Sequence, residues 1–232
     1  FRPAYPAELG TFLTEIAPAR HCVWDCATGQ GQAASLVAGA FERVWATDAS
    51  PNQIAQARPM DRVQFAVATE AASGLADASC DLVMAAQAAH WFDLPAFYAE
   101  ARRVLRPRGV IAVWSYAGLE TDDVLVNEAI HEFQFGRVAP YWPPGRELVD
   151  ERYETLPFPF PRIPSPAFEM TALWTRDQLL GYVSSWSAVD RCRREEGADP
   201  MPELLAELAP VWPSASERRD VRWPVYLLVG RV

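Results

Sequence analysis

The first 118 residues alternate short apolar runs with amphipathic stretches, and this alternation restricts the fold more than any other feature. The apolar runs predict strands and the stretches between them predict helices. Strands that are separated by helices pair in parallel, and the helices cover both faces of the sheet. The predicted strands are "HCVWDCA", "RVWATDAS", "VQFAVATEA", "CDLVMAAQAA" and "VIAVWSY". The pattern therefore indicates a doubly wound, Rossmann-like α/β sheet.

Local signals mark the limits of the predicted helices. The stretch "QAASLVAGAF" follows the first strand, and Ser50 with Pro51 opens the second helix, since proline suits a first helical turn. Asp93 is the expected N-cap of the helix in "FDLPAFYAEARRVLRPRG", which should end before Pro107 and Gly109.

After residue 118 the sequence pattern changes, and helical stretches are predicted at about 121–136, 146–153, 175–186 and 200–209. Two proline-rich segments interrupt them, "APYWPPGR" and "LPFPFPRIPSP". Two late strands, "AFEMTALW" and "RWPVYLLVGRV", could complete the sheet as a hairpin. We therefore expect a single domain over 1–232, with a seven-stranded, mostly parallel sheet that includes a late antiparallel strand. Its parts would be a ligand-binding core at 1–118, a helical and proline-rich lid insertion at 119–210, and a closing strand at 211–232.

The loop "WDCATGQGQAA" after the first strand reads D-x-A-x-G-x-G, with Asp25, Ala27, Gly29 and Gly31 at the named positions. Dinucleotide-binding loops usually read G-x-G-x-x-G and present a helix N-terminus to a pyrophosphate. The different spacing suits a chain that passes close beneath a bulky ligand, although a plain strand-to-helix turn would also carry two glycines. Ala27 stands at a glycine position, so we expect its φ to be negative.

Asp48 ends the second strand, seventeen positions after Gly31. A carboxylate at this place can accept both ribose hydroxyls of a nucleoside. Asp48 could equally cap the helix that begins at Ser50 and Pro51, and the two roles are compatible.

Together with "ATDAS", "ATEA", "CDLVMAAQAAHWF" and "EARRVLRPRGVIAVWSY", the loop resembles the class I S-adenosylmethionine-dependent methyltransferases. The likeness is greatest to the small-molecule branch that includes trans-aconitate-methyltransferase-like proteins. It extends to "FRPAYP" at the start and to "GYVSSWSAV" and "RWPVYLLVGR" near the end, so it covers nearly the whole chain. Each motif is weak alone, but their order and spacing are specific.

Carried over by position, the resemblance implies S-adenosyl-L-methionine as cofactor and assigns its contacts. Asp25, Ala27, Gly29 and Gly31 would form the methionine-side loop, Asp48 would bind the ribose, and Ala49 would lie beside the adenine. Thr69 and Glu70 would address the adenine edge, and Gln87, Ala88 and His90 would form the floor of the site. Phe1 replaces the branch's tyrosine, so Arg2 could contact the cofactor's carboxylate instead, or be a surface arginine.

Methyl transfer is an in-line displacement from an activated sulfonium, so alignment and exclusion of water can supply most of the acceleration. Carboxylate and thiolate acceptors need no general base, whereas a hydroxyl acceptor does. His90 is the candidate catalytic base or orienting residue, with a hydrogen-bonded core histidine as the alternative. Aromatic residues could wall the pocket or belong to the core: Trp91, Tyr116, Tyr141, Trp142, Tyr182 and Trp186.

The resemblance suggests O-methylation of a small carboxylate or hydroxyl compound. An acidic acceptor needs local cations in a chain of net charge -9. Arg137 and Arg146 flank "APYWPPG" and could grip a carboxylate through two hydrogen bonds, or could cap helices or lie in solvent. The predicted substrate-binding residues are Tyr141, Trp142, Arg146 and Trp186. A neutral, hydrophobic acceptor would give His90 more weight as a base.

Composition excludes several other classes of partner. All 21 basic residues are arginine, and the acidic balance argues against a broad nucleic-acid surface. No run reaches the ~18 apolar residues of a membrane span, and the scattered cysteines and histidines do not form a metal site. We expect the cysteines to be buried thiols in a cytoplasmic protein, acting as a monomer or weak homodimer. Because the chain starts without methionine, a trimmed leader stays open.

Three alternatives share parts of this pattern. A nicotinamide-dependent dehydrogenase with a Tyr-x3-Lys pair is excluded because the chain has no lysine. A non-catalytic Rossmann-type interaction or ligand-binding domain is disfavoured by the intact loop and Asp48. A methyltransferase acting on a lipid or protein also stays open, although no Asn-Pro-Pro-Tyr-like motif stands where "QAAHWF" does.

Overall fold

The computed structural model describes residues 3–232, which form two compact units. The core unit contains Ala4–Tyr116, Glu151–Phe168 and Val225–Val232. The accessory unit contains Ala117–Asp150 and Glu169–Pro224. The segment 151–168, which the sequence places in the lid insertion, thus belongs to the core unit. The lid role of the insertion stays a prediction.

The core unit is built on parallel strands β1 (Cys22–Cys26), β2 (Arg43–Asp48), β3 (Val63–Val67), β4 (Cys80–Ala86) and β5 (Leu105–Tyr116). Their order is β3-β2-β1-β4-β5, and every neighbouring pair is parallel. The antiparallel strand β8 (Arg218–Arg231) pairs with β5 through residues 225–231. The order changes direction between β1 and β4, which is where doubly wound sheets bind ligands.

Helices α1 (Ala7–Ile16), α2 (Gln32–Val37), α3 (Pro51–Gln56) and α4 (Leu94–Val104) complete the core unit. Their caps are those the sequence predicts: Ser50 accepts from the amide of Gln53, and Asp93 accepts from the amide of Ala96. All five residues of β1 are buried, Asp25 included, as expected for a central parallel strand with both faces covered. The buried indole of Trp24 donates to Thr47 Oγ1 at 2.9 Å.

The accessory unit contains β6 (Glu120–Thr121), α5 (Val124–Glu132), α6 (Arg146–Asp150), α7 (Arg176–Val183), α8 (Ser187–Glu196) and α9 (Met201–Val211). A π-helical turn (Phe133–Arg137) and a 3-10 turn (Ala139–Tyr141) follow α5. The late strand β7 (Phe168–Thr175) pairs with β8 as predicted, and β6 also pairs with β8.

The predicted fold class is confirmed, with three differences in detail. The sheet has eight strands, because the two-residue β6 joins the predicted seven. Neither α1 nor α8 was predicted as a separate helix; the predicted helix at 175–186 ends at Val183, and α8 follows it. Within residues 3–232, no helix has the length and apolar character that crossing a membrane requires.

Candidate active site

The loop after β1 turns sharply through three left-handed residues. Gly29 has φ +58° and Gly31 has φ +91°, and Ala27 has φ +56°. The expectation of a negative φ at Ala27 is therefore wrong: the turn needs a left-handed residue there and the alanine accepts it, at a cost of roughly 1–2 kcal/mol. A Cβ on Gly31 would come within 2.4 Å of Met60 Cε and 2.9 Å of Phe65 Cζ. Glycine is thus required at Gly31 by space as well as by conformation.

Asp25 is a fully buried carboxyl group at the start of this loop. Its Oδ2 accepts from Thr28 Oγ1 at 2.6 Å, while its Oδ1 has no hydrogen-bond partner among residues 3–232. Burial raises the pKa of Asp25 to about 7, against the smaller lowering effect of the Thr28 hydroxyl. A buried acceptor without a donor is costly, so a donor supplied by a ligand would stabilise this atom.

Asp48 connects the loops that follow β1 and β2. Its Oδ2 accepts from the amide of Gly29 at 2.9 Å, and its Oδ1 accepts from the amide of Ser50 at 2.8 Å. Asp48 therefore supports the turn before α3, but the N-cap of that helix is Ser50, so the expectation that Asp48 caps it is wrong. Each carboxylate oxygen can accept a second hydrogen bond, so this role leaves capacity for ribose hydroxyls. Ala49, beside it, is exposed.

Thr69 and Glu70 lie in a tight turn after β3. Thr69 is exposed and forms an isolated bridge with Ala72, and Glu70 is half-buried. Glu70 Oε1 accepts from the amide of Asp93 at 3.4 Å, which links this turn to the start of α4.

The segment after β4 is held to β5 by Gln87, which has φ +53°. Its amide donates to the Trp114 carbonyl at 2.8 Å, and its Nε2 donates to the Tyr116 carbonyl at 2.7 Å. Ala88 is buried, and a 3-10 turn over Ala89–Trp91 places His90 next. Gln87 therefore fixes the segment after β4 to the backbone of β5.

His90 is half-buried, and its Nδ1 lies 2.8 Å from the hydroxyl of Tyr153. The His90 and Trp91 ring centroids are 4.4 Å apart, and the Trp91 side chain is 63% exposed. Tyr153 is fully buried, and both Tyr153 and the preceding Arg152 have φ +59°. Two consecutive left-handed residues that are not glycine are strained, and such strain collects at functional sites.

The predicted substrate-binding residues lie in the accessory unit, where three of them meet. The ring centroids of Trp142 and Trp186 are 5.6 Å apart, and the Arg146 guanidinium lies 4.3 Å from the Trp142 ring. Arg146 Nε also donates to Asp150 at 2.9 Å. The hydroxyl of Tyr141 instead bonds to Glu196. Trp142, Trp186 and Arg146 are hereafter called the aromatic-arginine cluster.

Arg137, the second arginine considered for a carboxylate, is already occupied. Its guanidinium pairs with Glu196 at 2.6 Å and with Glu203 at 2.8 Å. The alternatives of a helix cap or an unpaired arginine in solvent do not describe Arg137. Its positive charge is balanced by these two carboxylates within the accessory unit. Arg2 and Phe1 lie outside the described residues.

Comparison with known proteins identifies the family. The "Methyltransferase domain" family profile matches residues 24–113. A solved structure from Anaeromyxobacter dehalogenans, assigned as a type II methyltransferase, is 44% identical, with a TM-score of 0.92 over 100% of this chain and 98% of that one. The chain belongs to the methyltransferase family. Its predicted cofactor, S-adenosylmethionine, and its standing as an enzyme are confirmed with this assignment.

One further relative agrees with the assignment, and one further solved structure shares the fold. A Dictyostelium discoideum protein assigned as a methyltransferase is 29% identical over 237 residues, which cover 100% of this chain and 90% of that protein. The YcgJ protein of Bacillus subtilis is 15% identical, with a TM-score of 0.55 over 97% of this chain and 98% of that one, and this likeness concerns the fold alone.

The core-unit residues of the methyltransferase fit the cofactor. The buried Oδ1 of Asp25 has no hydrogen-bond partner among the described residues, so the ammonium of a methionine group would supply the donor it lacks. Asp48 holds the adjacent loop while keeping acceptor capacity. The loops after β1, β2 and β4 leave the carboxyl ends of neighbouring strands, so their residues converge there.

Sequence reasoning missed Tyr153 in this methyltransferase. It lies in "ERYET", which carries no motif, and its partner His90 is 63 positions away. No periodicity or spacing could have paired the two residues.

Proposed function

We propose that the methyltransferase methylates an oxygen of a small acidic molecule, most simply a carboxylate, as in the trans-aconitate-methyltransferase-like branch. The observation that carries this proposal is the aromatic-arginine cluster. Among the described residues, Arg146 uses only Nε for a hydrogen bond, so its two terminal nitrogens keep their donors. A guanidinium with such donors can bind a carboxylate in a bidentate manner.

The tryptophans of the cluster support the same substrate class. Trp142 and Trp186 are each half-buried, so parts of both rings are accessible to a ligand. Trp142 is fixed by its indole N–H, which donates to the Gln134 carbonyl at 3.2 Å. Fixed aromatic faces bind planar or apolar groups with little loss of conformational entropy. An acid with an unsaturated or apolar body therefore matches the cluster better than a free inorganic anion.

We assign the core-unit residues the cofactor roles that the family resemblance implies. Asp25 and the loop to Gly31 would hold the methionine portion of the cofactor, Asp48 the ribose, and Thr69 and Glu70 the adenine edge. The bound cofactor supplies a methyl group on a sulfonium, and the transfer exchanges a carbon–sulfur bond for a carbon–oxygen bond. Since a carboxylate is already a nucleophile, the protein has to align it and exclude water.

A transfer screen tests the proposal. The purified protein is incubated with methyl-labelled S-adenosylmethionine and with small carboxylic acids, phenols, hydroxylated lipids or protein. We expect label in a carboxylic acid, as a methyl ester from which mild alkali releases methanol. The Asp48→Ala variant, with its cofactor site damaged, is the matched negative control. Label in phenols alone would contradict a carboxylate acceptor and identify a hydroxyl acceptor instead. Label only in lipid or protein would overturn the small-molecule proposal.

A further inference from the structure

The segment that follows α6 is a strap on the core unit. We define the strap as residues 151–163. It is held along its length: the hydroxyl of Tyr98 donates to the Pro157 carbonyl at 2.6 Å, and the amide of Ile163 donates to the Val229 carbonyl at 2.9 Å. Leu156 and Phe160 of the strap are buried. Attachments to both α4 and β8 make the strap a fixed part of the core unit.

Tyr153 is the polar residue that the strap delivers to His90. The backbone reaches it through the left-handed pair Arg152 and Tyr153, each at φ +59°. The Arg152 guanidinium lies 5.6 Å from the centre of the Tyr226 ring, which anchors the start of the strap. A left-handed conformation is unfavourable for residues other than glycine, so it persists only where the surrounding contacts enforce it. The outcome is a fully buried hydroxyl 2.8 Å from His90 Nδ1.

The direction of this hydrogen bond decides which nitrogen of His90 carries the proton. Burial raises the pKa of Tyr153 above its usual value, so the phenol keeps its proton. A buried hydroxyl that keeps its proton needs an acceptor for that proton. His90 Nδ1 lies within hydrogen-bond reach of the Tyr153 hydroxyl, and it accepts when it carries no proton.

We propose that Tyr153 is a positioning residue that donates to His90 Nδ1 and thereby fixes the His90 tautomer with its proton on Nε2. In this tautomer the Nε2 of His90 carries a proton, so it can donate a hydrogen bond and cannot act as a general base. A donor suits a carboxylate acceptor, which it can orient and which has no proton to lose. This assignment deepens the proposed function and rests on it for its chemical meaning. The tautomer itself is a property of the protein without any acceptor.

The tautomer can be read by nitrogen NMR of the full chain labelled with ¹⁵N-histidine. The sequence has only three histidines, His21, His90 and His131, and loss of one signal in His90→Gln assigns the resonances. At neutral pH we expect His90 to show an unprotonated Nδ1 and a protonated Nε2. In Tyr153→Phe, which keeps the buried ring, the His90 shifts should move towards the average of the two tautomers.

The matched control is Tyr98→Phe, which removes another buried phenol that contacts the strap but lies on Pro157. It should leave the His90 signals unchanged. A proton on Nδ1 in the wild-type protein would overturn the proposal, and so would an unchanged spectrum in Tyr153→Phe. The wild-type spectrum needs no variant, so a Tyr153→Phe protein that fails to fold still leaves the test decisive. Because no acceptor is present, this result is independent of the transfer screen.

Discussion

Gly29 and Asp48 join the loops after β1 and β2 through one hydrogen bond, from the Gly29 amide to Asp48 Oδ2 at 2.9 Å. The same carboxylate accepts from the Ser50 amide at 2.8 Å. One side chain thus fixes the backbone of two loops that converge at the same edge of the sheet. Loss of Asp48 would therefore disturb the proposed cofactor site in two ways, through the proposed ribose contacts and through the loop that Asp48 holds.

The Asp48→Ala variant should bind S-adenosylhomocysteine much more weakly than the wild type. Charge-assisted hydrogen bonds contribute roughly 1.5–3 kcal/mol each, so the loss of one ribose contact predicts a rise in Kd of at least about tenfold. Isothermal titration measures this. Asp61→Ala is the control, because the Asp61 side chain is 95% exposed and pairs only with Arg62 among the described residues. A wild-type Kd in Asp48→Ala would contradict the ribose assignment.

The buried Asp25 predicts an unusual pH dependence of stability. Its pKa is about 7 in the folded protein and about 3.9 in an unfolded chain. Between about pH 4 and pH 7 the Asp25 carboxyl is protonated in the folded protein and ionised in the unfolded chain. Its contribution to the free energy of unfolding therefore falls as pH rises through this range, by about 1.4 kcal/mol per pH unit. In Asp25→Asn this loss should be absent.

Urea unfolding of the ligand-free protein at pH 5 and pH 8 measures the effect. The free energy of unfolding of Asp25→Asn minus that of the wild type should be larger at pH 8 than at pH 5. The control is Asp61→Asn, which removes an exposed carboxylate. Its free energy of unfolding should match that of the wild type at both pH values. A difference between Asp25→Asn and wild type that does not change with pH would contradict the raised pKa.

Gly31→Ala should destabilise the core unit and abolish cofactor binding. The new Cβ would overlap Met60 and Phe65, and φ at this position is +91°; together these predict a loss of about 2 kcal/mol or more. Gly39→Ala is the matched control, since a Cβ there meets nothing within 4 Å and its φ is not left-handed. Urea midpoints compare the two variants. Equal stability of both would show that the loop relaxes around the methyl.

Arg146→Gln should raise the KM for whichever carboxylic acid the screen finds, roughly 10- to 100-fold, because a charge-assisted bidentate contact is lost. The Kd for S-adenosylhomocysteine should stay unchanged. Arg191→Gln removes a comparable i,i+4 ion pair from the exposed face of α8 and should alter neither constant. Unaltered kinetics in Arg146→Gln would favour a neutral, hydrophobic acceptor.

Two substitutions at His90 separate a donor from a base. His90→Gln keeps an N–H donor, whereas His90→Leu removes every polar atom of the side chain. If His90 orients a carboxylate, kcat/KM should stay within about tenfold in His90→Gln and fall roughly 10- to 100-fold in His90→Leu. Equal losses in both variants, with a rate that rises with pH in the wild type, would identify His90 as a base.

The sequence alone determined the parts of this methyltransferase that depend on local chemistry. Alternating apolar strands and helices required a parallel sheet, and Ser50 and Asp93 capped the helices as expected because capping uses neighbours within three positions. The loop from Asp25 to Gly31 and the carboxylate at Asp48 were recognisable for the same reason. Glycines at 29 and 31 are typical of a tight turn from a strand into a helix.

Only the tertiary structure decided the contacts between distant segments. It gave Ala27 a left-handed φ that its side chain does not favour, bound Arg137 to Glu196 and Glu203, and brought Tyr153 to His90 across 63 positions. Each of these depends on which elements pack together, and packing pairs residues that no local pattern connects. Local propensity selects the elements, whereas burial and long-range hydrogen bonds select their partners.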